Sequence, residues 1–269
     1  MRAIGTVVKI NQTDHAQGHI CPNVEKWLSE GPSRLLEAAR KKRITATAET
    51  RDYYEATIIV LTACRQFFLR YGQLATDMAE SSPSASERRN LHEIQATCTH
   101  LAKFPPRTFR ESLQSLWFLF VLLQLESNAS SFSPGRFDQY LHPYLRNDLK
   151  ENRITLAQAL ELVEAFWIKC NQIVYLRSAN SARYFAGFPI GFNIVLGGRT
   201  RTGEDAVNIL SYLCLKAQEH IGLPQPNLSA RIHENSLDEF IDECSRVIGL
   251  GSGMPQLFND ESIVPALEN

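Results

Sequence analysis

Eight consecutive apolar residues, Leu116-Trp117-Phe118-Leu119-Phe120-Val121-Leu122-Leu123, constrain this chain more than any other feature. Pro105-Pro106 stops whatever helix precedes them. Thr108 followed by Glu111 has the capping-box spacing that opens a new helix, running to about Gln124. Such a helix is apolar on all sides. It has no flank to offer water, so it must lie inside a larger body rather than form one stave of a simple bundle. The chain has 269 residues, of which 44% are hydrophobic, enough to bury a sizeable core. The run is also well short of the roughly 20 apolar residues a membrane span needs.

The segments on either side read as follows. Pro22 to Lys42 suggests two short helices broken near Gly31-Pro32, and Glu49 to Glu80 one long helix with Tyr54, Ile58, Leu61, Cys64 and Phe68 at helical spacing. Ser84 with Glu87 marks a helix to Leu101, Thr155 with Gln158 another, and Thr202 with Asp205 a third running through Leu210, Leu213 and Ala217. Phe192 to Leu196 reads as a buried strand ending at Gly197-Gly198. Leu228, Ala230 and Ile232 alternate as a second strand, and Asp238 to Leu250 is a final helix before Gly251-Ser252-Gly253. A helical first half followed by alternating helix and strand predicts an α/β arrangement, with strands of a barrel or sheet covered by helices. No linker separates two domains.

With 28 basic and 29 acidic residues, the charge gives no reason to expect nucleic acid or an anionic membrane. The basic run Arg40-Lys41-Lys42-Arg43 suits a helix C-terminus. The six cysteines, Cys21, Cys64, Cys98, Cys170, Cys214 and Cys244, include no CxxC pair, which argues against a metal knuckle or a secreted disulfide framework. Cys170 and Cys214 sit in apolar helical patterns and read as small buried hydrophobes. Met1 to Lys9 has no signal-peptide pattern, so a cytoplasmic location is expected.

Four polar clusters are candidates for function. Gly18-His19 places an imidazole after a glycine, suited to acid chemistry or to hydrogen bonding a substrate hydroxyl; a loop histidine satisfied by a neighbour is the commoner case. Glu126 to Arg136 carries short hydroxyls directly after the apolar helix, either lining a polar cavity or forming turns after a capped end, and composition alone favours turns. Arg177 to Pro189 contains Arg183, suited to a carboxylate or to pinning a loop. Gly251 to Glu261 reads as a tight turn whose acidic pair caps the next helix.

Taken in order, these clusters resemble the pyruvate formate-lyase-like glycyl radical enzymes. The resemblance is carried by Ile10-Asn11-Gln12-Thr13-Asp14 with Gly18-His19, and by Glu126-Ser127-Asn128-Ala129-Ser130-Ser131 with Gly135-Arg136-Phe137-Asp138-Gln139-Tyr140. It continues through Ser181 to Pro189, through Leu223-Pro224-Gln225-Pro226-Asn227-Leu228, and through Pro255-Gln256-Leu257-Phe258-Asn259-Asp260-Glu261. The nearest subgroup is the PflD dehydratase type, beside glycerol dehydratase-like members.

The resemblance implies a helix-rich fragment with part of the first half of a ten-stranded α/β barrel, residues 1–269 being a partial domain. It implies an expected lyase of the dehydratase or formate acetyltransferase type, from anaerobic metabolism, acting on a small polyol-like substrate by radical elimination. In the family a glycyl radical, installed by a radical S-adenosylmethionine activating enzyme, generates a thiyl radical on a cysteine, and the enzymes are homodimers. The family's Gly-Cys-Val-Glu motif follows the Phe-Asn-Asp-Glu segment, whereas this sequence ends at Asn269, eight residues past Glu261. The expectation is an internal piece without catalytic residues, inactive alone, that pairs with a complementing C-terminal chain. The alternative is a non-catalytic remnant or scaffold. Half a barrel should expose a sheet edge and an apolar face.

Four substrate-binding positions follow from the resemblance. His19 matches the family's Gly-His, and Ser131 matches a serine that contacts substrate in glycerol-type dehydratases. Ser130 stands where those enzymes have histidine, and Phe188 where they have tyrosine, which argues against glycerol itself.

Overall fold

The computed structural model describes residues 18–127, 131–173 and 191–268. The chain divides into two compact units, 23–122 and 1–22 with 123–269.

The first unit is helical. Helix α1 (Val24–Ile44) is bent where Gly31 adopts φ 66° and ψ 167° ahead of Pro32, as the sequence predicts, and its last turn carries Lys41, Lys42 and Arg43. Helix α2 (Ala48–Ser81) buries one face through Cys64, Phe68, Gly72, Ala75 and Ala79. Gly72 allows close approach to α3 (Ala85–Leu101), because a Cβ there would stand 3.3 Å from Thr99 Oγ1. The Glu87 amide donates to Ser84 Oγ at 3.3 Å, capping α3. Its carboxylate accepts from Ser82 Oγ instead of closing the predicted box. Helix α4 (Phe109–Ser127) starts as predicted, with the Glu111 amide donating to Thr108 Oγ1 at 3.1 Å. Phe118 packs edge-on against Phe68, with ring centres 4.8 Å apart. Burial of α4 is not uniform: Phe109, Leu116 and Phe120 are fully buried, whereas Trp117, Leu119 and Val121 remain half-exposed.

The second unit alternates helix and strand. After α5 (Phe137–Tyr140), α6 (His142–Lys150) and α7 (Leu156–Cys170) come β1 (Asn193–Gly197), α8 (Ile209–Ile221), β2 (Asn227–Ile232), α9 (Asp238–Val247), β3 (Gln256–Asn259) and α10 (Asp260–Glu268). Thr155 and Gln158 form the complete capping box of α7. The predicted start of the next helix at Thr202 is wrong. Residues 199–205 fold back on themselves, with the Thr200 amide donating to the Glu204 carbonyl at 2.8 Å and Arg199 bridging Asp205. Those bonds commit the Thr202 region to a turn, and Asn208 caps α8 through Leu210 N at 2.9 Å. The final predicted helix ends earlier than expected, as a π-helical turn at Ile248–Ser252 follows α9.

Strands β1, β2 and β3 are all parallel, in that order across the sheet. The helices α8 and α9 supply the crossovers that parallel pairing requires. Two parallel bridges extend the sheet beyond β1: Gly135 pairs with Ile194, and Ile20 pairs with Phe132. Five chain segments thus run side by side in one direction. Ile194, Leu196, Leu228 and Ala230 point to a fully buried face. At the other border of the described sheet β3 is exposed throughout, Leu257 and Phe258 included. Among the described residues the fold is helix-rich α/β with a parallel sheet.

Candidate active-site cavity

A cavity of about 360 Å3 opens on the sheet of the second unit, lined by His19, Cys21, Ser131, Ser133, Gly191, Asn193, Asn227 and Gln256 together with Ile20. Its first wall comes from the bridged segments at the sheet border. Ser133 N donates to the Ile20 carbonyl at 2.9 Å, tying the two segments together. One residue before each bridged position the backbone turns left-handed, with φ 59° at His19 and 60° at Ser131. Non-glycine residues rarely adopt that conformation, and such strain gathers at functional sites. Gly191 presses against Ser131 so closely that a Cβ would fall 2.6 Å from Ser131 Oγ. Gly135 plays the same part for Cys21, whose sulfur lies 2.7 Å from the place of a Cβ.

The second wall is the start of each strand: Asn193 opens β1, Asn227 opens β2 and Gln256 opens β3. Asn193 Oδ1 accepts from Ser229 Oγ at 3.0 Å. Sequence reasoning missed these three amides, because a polar residue opening a strand looks like the loop before it. It also undervalued the hydroxyl cluster: Ser131 and Ser133 line the cavity rather than forming plain turns. Of the four predicted positions, the structure brings His19 and Ser131 to one cavity. Ser130 and Phe188 lie outside the described residues, as does Arg183.

Several motif residues turn out to hold the frame. Arg136 donates to the Gly197 and Arg199 carbonyls at 2.8 and 3.0 Å, closing the far end of β1. Asp138 Oδ2 accepts from Gly197 N at 2.8 Å and from Ser211 Oγ at 2.6 Å, joining β1 to α8. Complete burial pushes the Asp138 carboxyl above its ordinary value, against those hydrogen bonds. Gln139 donates to the Ala206 carbonyl and Tyr140 to the Pro134 carbonyl. Gln225 Oε1 accepts from Phe192 N at 3.0 Å, fixing the entry to β1. Asp260 forms a bidentate pair with Arg231 at 2.6 and 2.9 Å, and Glu261 pairs with Arg199. The predicted turn at Gly251–Glu261 thus contains a strand, β3, that its four residues were too short to announce.

Cys21 is the cysteine in the cavity wall. Burial pushes the thiols of Cys98 and Cys244 up to about 11 and about 12, and those of Cys170 and Cys214 higher still, as expected of cysteines acting as hydrophobes. Cys21 lies in Ile20-Cys21-Pro22, where burial also raises its thiol above the ordinary value. No described helix is long and apolar enough to cross a membrane.

Comparison with known proteins agrees with this frame. The chain is 34% identical over 273 residues to the protein named "Probable dehydratase YbiW" of Escherichia coli, covering 98% of this chain and 34% of that one. It is 34% identical over 251 residues to (2S)-3-sulfopropanediol dehydratase of Klebsiella oxytoca, covering 90% and 30% respectively. The glycerol-bound B12-independent glycerol dehydratase from Clostridium butyricum superposes with a TM-score of 0.90 at 32% identity, covering 99% of this chain and 35% of that structure. The chain thus spans about a third of the length of these relatives. Its five parallel segments are part of the barrel that they share. The pyruvate formate lyase-like family model matches residues 2–269, so the chain that builds this cavity belongs to the pyruvate formate lyase-like family of glycyl radical enzymes.

Proposed function

We propose that this chain supplies the substrate-binding half-barrel of a glycyl radical lyase or dehydratase acting on a small polyol-like substrate. The observation that carries the reading is the placement of His19 and Ser131, both left-handed, beside one cavity walled by hydroxyl and carboxamide groups. Ser131 Oγ is positioned to hold a substrate hydroxyl. His19 is the group suited to give the departing hydroxyl its proton, so that it leaves as water. The family's radical machinery supplies hydrogen-atom abstraction from the substrate carbon. The activating enzyme, the Gly-Cys-Val-Glu and glycyl motifs of the family, and a homodimeric assembly belong to the same proposal.

The test assembles this chain with the part of the enzyme that bears the Gly-Cys-Val-Glu and glycyl motifs, whether continuous with it or separate, and adds an activating enzyme under anaerobic conditions. The expected result is a glycyl radical signal in electron paramagnetic resonance and conversion of a vicinal diol to an aldehyde. His19→Ala and Ser131→Ala should retain the signal and lose the product. A complete assembly that shows the radical yet turns over no polyol with His19 and Ser131 intact sinks the proposal.

A further inference from the structure

The three carboxamides at the strand starts stand in one pattern. The register pairs Asn193 with Asn227 and Ser229 with Gln256. Side chains two residues apart on a strand share a face, so Asn193, Asn227, Ser229 and Gln256 all lie on the same side of the sheet. That side is opposite the buried face formed by Ile194, Leu196, Leu228 and Ala230. Ser229 occupies Asn193 Oδ1 and leaves its Nδ2 donors unspent among the described residues. The side-chain amides of Asn227 and Gln256 make no hydrogen bond to any described residue. Each amide offers two donors and an acceptor without charge. Together they complement a ligand rich in hydroxyl or carbonyl oxygens, whose groups would lose free energy if enclosed without partners.

Distance separates this wall from the other one. Ser131 lies on the second of the five parallel segments, Asn227 on the fourth and Gln256 on the fifth. Neighbouring strands are ~4.8 Å apart, and Ser131, four residues before the Gly135–Ile194 bridge, starts about three residues of ~3.3 Å ahead of Asn227 and about five ahead of Gln256, so the two amides stand roughly 14 and 22 Å from it, less the curvature of the sheet. An extended three-carbon polyol spans about 5 Å between its end oxygens, and about 11 Å with a hydrogen bond of ~2.9 Å at each end. A ligand of that size held at Ser131 falls short of Asn227 and Gln256.

We propose that Asn227 and Gln256 form a second subsite, which holds the distal uncharged hydroxyl or carbonyl groups of a substrate longer than three carbons. This rests on the reading of the cavity as the substrate pocket.

The test titrates glycerol and the five-carbon polyol xylitol into the complete chain, followed by amide shifts in NMR. Xylitol should bind about tenfold more tightly than glycerol, from two added hydrogen bonds. Asn227→Ala and Gln256→Ala should each weaken xylitol by about three- to tenfold and leave glycerol unchanged. Ser131→Ala should weaken both ligands. Asn227→Ser, which keeps a donor and an acceptor, should recover part of the loss, and unchanged circular dichroism and melting exclude a folding defect. Equal affinity for the two polyols, or equal loss of both in the Asn227 and Gln256 variants, overturns the subsite. Failure of the unaltered chain to bind any polyol overturns the reading of the cavity, and the subsite with it.

Discussion

His19 and Ser131 are neighbours across a parallel bridge and share the same left-handed backbone, φ 59° and 60°, each just before the paired residues Ile20 and Phe132. A left-handed residue with a side chain costs about 1–2 kcal/mol. Ser131→Gly and His19→Gly should therefore each stabilise the chain by up to about 1 kcal/mol, the relief being offset by the freer unfolded chain. Both should bind polyols more weakly. Denaturant unfolding alongside a binding titration measures the two effects, and a loss of stability in either variant would contradict the strain assigned here.

Gly191 meets Ser131 so closely that a methyl group has no room, and its own φ is 81°. Gly191→Ala should lower stability by about 1–3 kcal/mol and close the cavity to ligand. Adding Ser131→Gly should recover part of that loss. Additive effects in the double variant would show that the two residues do not touch.

Glu111 opens α4 with its carboxylate accepting from Arg107 N and Arg107 Nη2, both at 2.6 Å. Burial alone would raise its pKa, but the Arg107 hydrogen bonds, helped by His100, hold it below the ordinary 4.5. A depressed folded value contributes stability that is complete above pH 4.5 and lost as pH falls through that lower value. Glu111→Gln should be less stable by about 1–2 kcal/mol at neutral pH. The gap from the unaltered chain should narrow on acidification below 4.5. Urea midpoints measured across that range check it, and a constant gap would exclude the linkage.

Asp260 is nearly fully buried in its bidentate pair with Arg231. Asp260→Asn leaves the guanidinium half-partnered and should cost about 3 kcal/mol, read from thermal or denaturant unfolding. Arg231→Lys cannot reproduce the two parallel bonds and should lose most of the same stability. A change within experimental scatter for both variants would show that the pair does not anchor β3 and α10.

Local signals account for what the sequence revealed. Ser84, Thr108 and Thr155 begin their helices where predicted because a capping hydroxyl acts within three residues. Glycine with proline marked the bend at Gly31 for the same reason. Thr202 and Asp205 carry an equally good local signal, yet the Thr200–Glu204 bonds and the Arg199–Asp205 bridge overrule it. Strand β3 escaped notice because an exposed four-residue edge shows no apolar alternation. In the cavity, His19 and Ser131 were found through resemblance. Asn193, Asn227 and Gln256 were not, because only the register across three strands shows that they share a face.

The segment from Ser131 to Gly135 keeps two kinds of instruction apart. Phe132 and Pro134 are buried and belong to the scaffold, whereas Ser131 and Ser133 meet the cavity. The following Arg136, Asp138, Gln139 and Tyr140 are spent on backbone or framework groups. On the proposed reading of the cavity, taste for a different substrate can be rewritten at alternate letters of one short stretch while the letters between them, and the clamp that follows, go on spelling the same architecture.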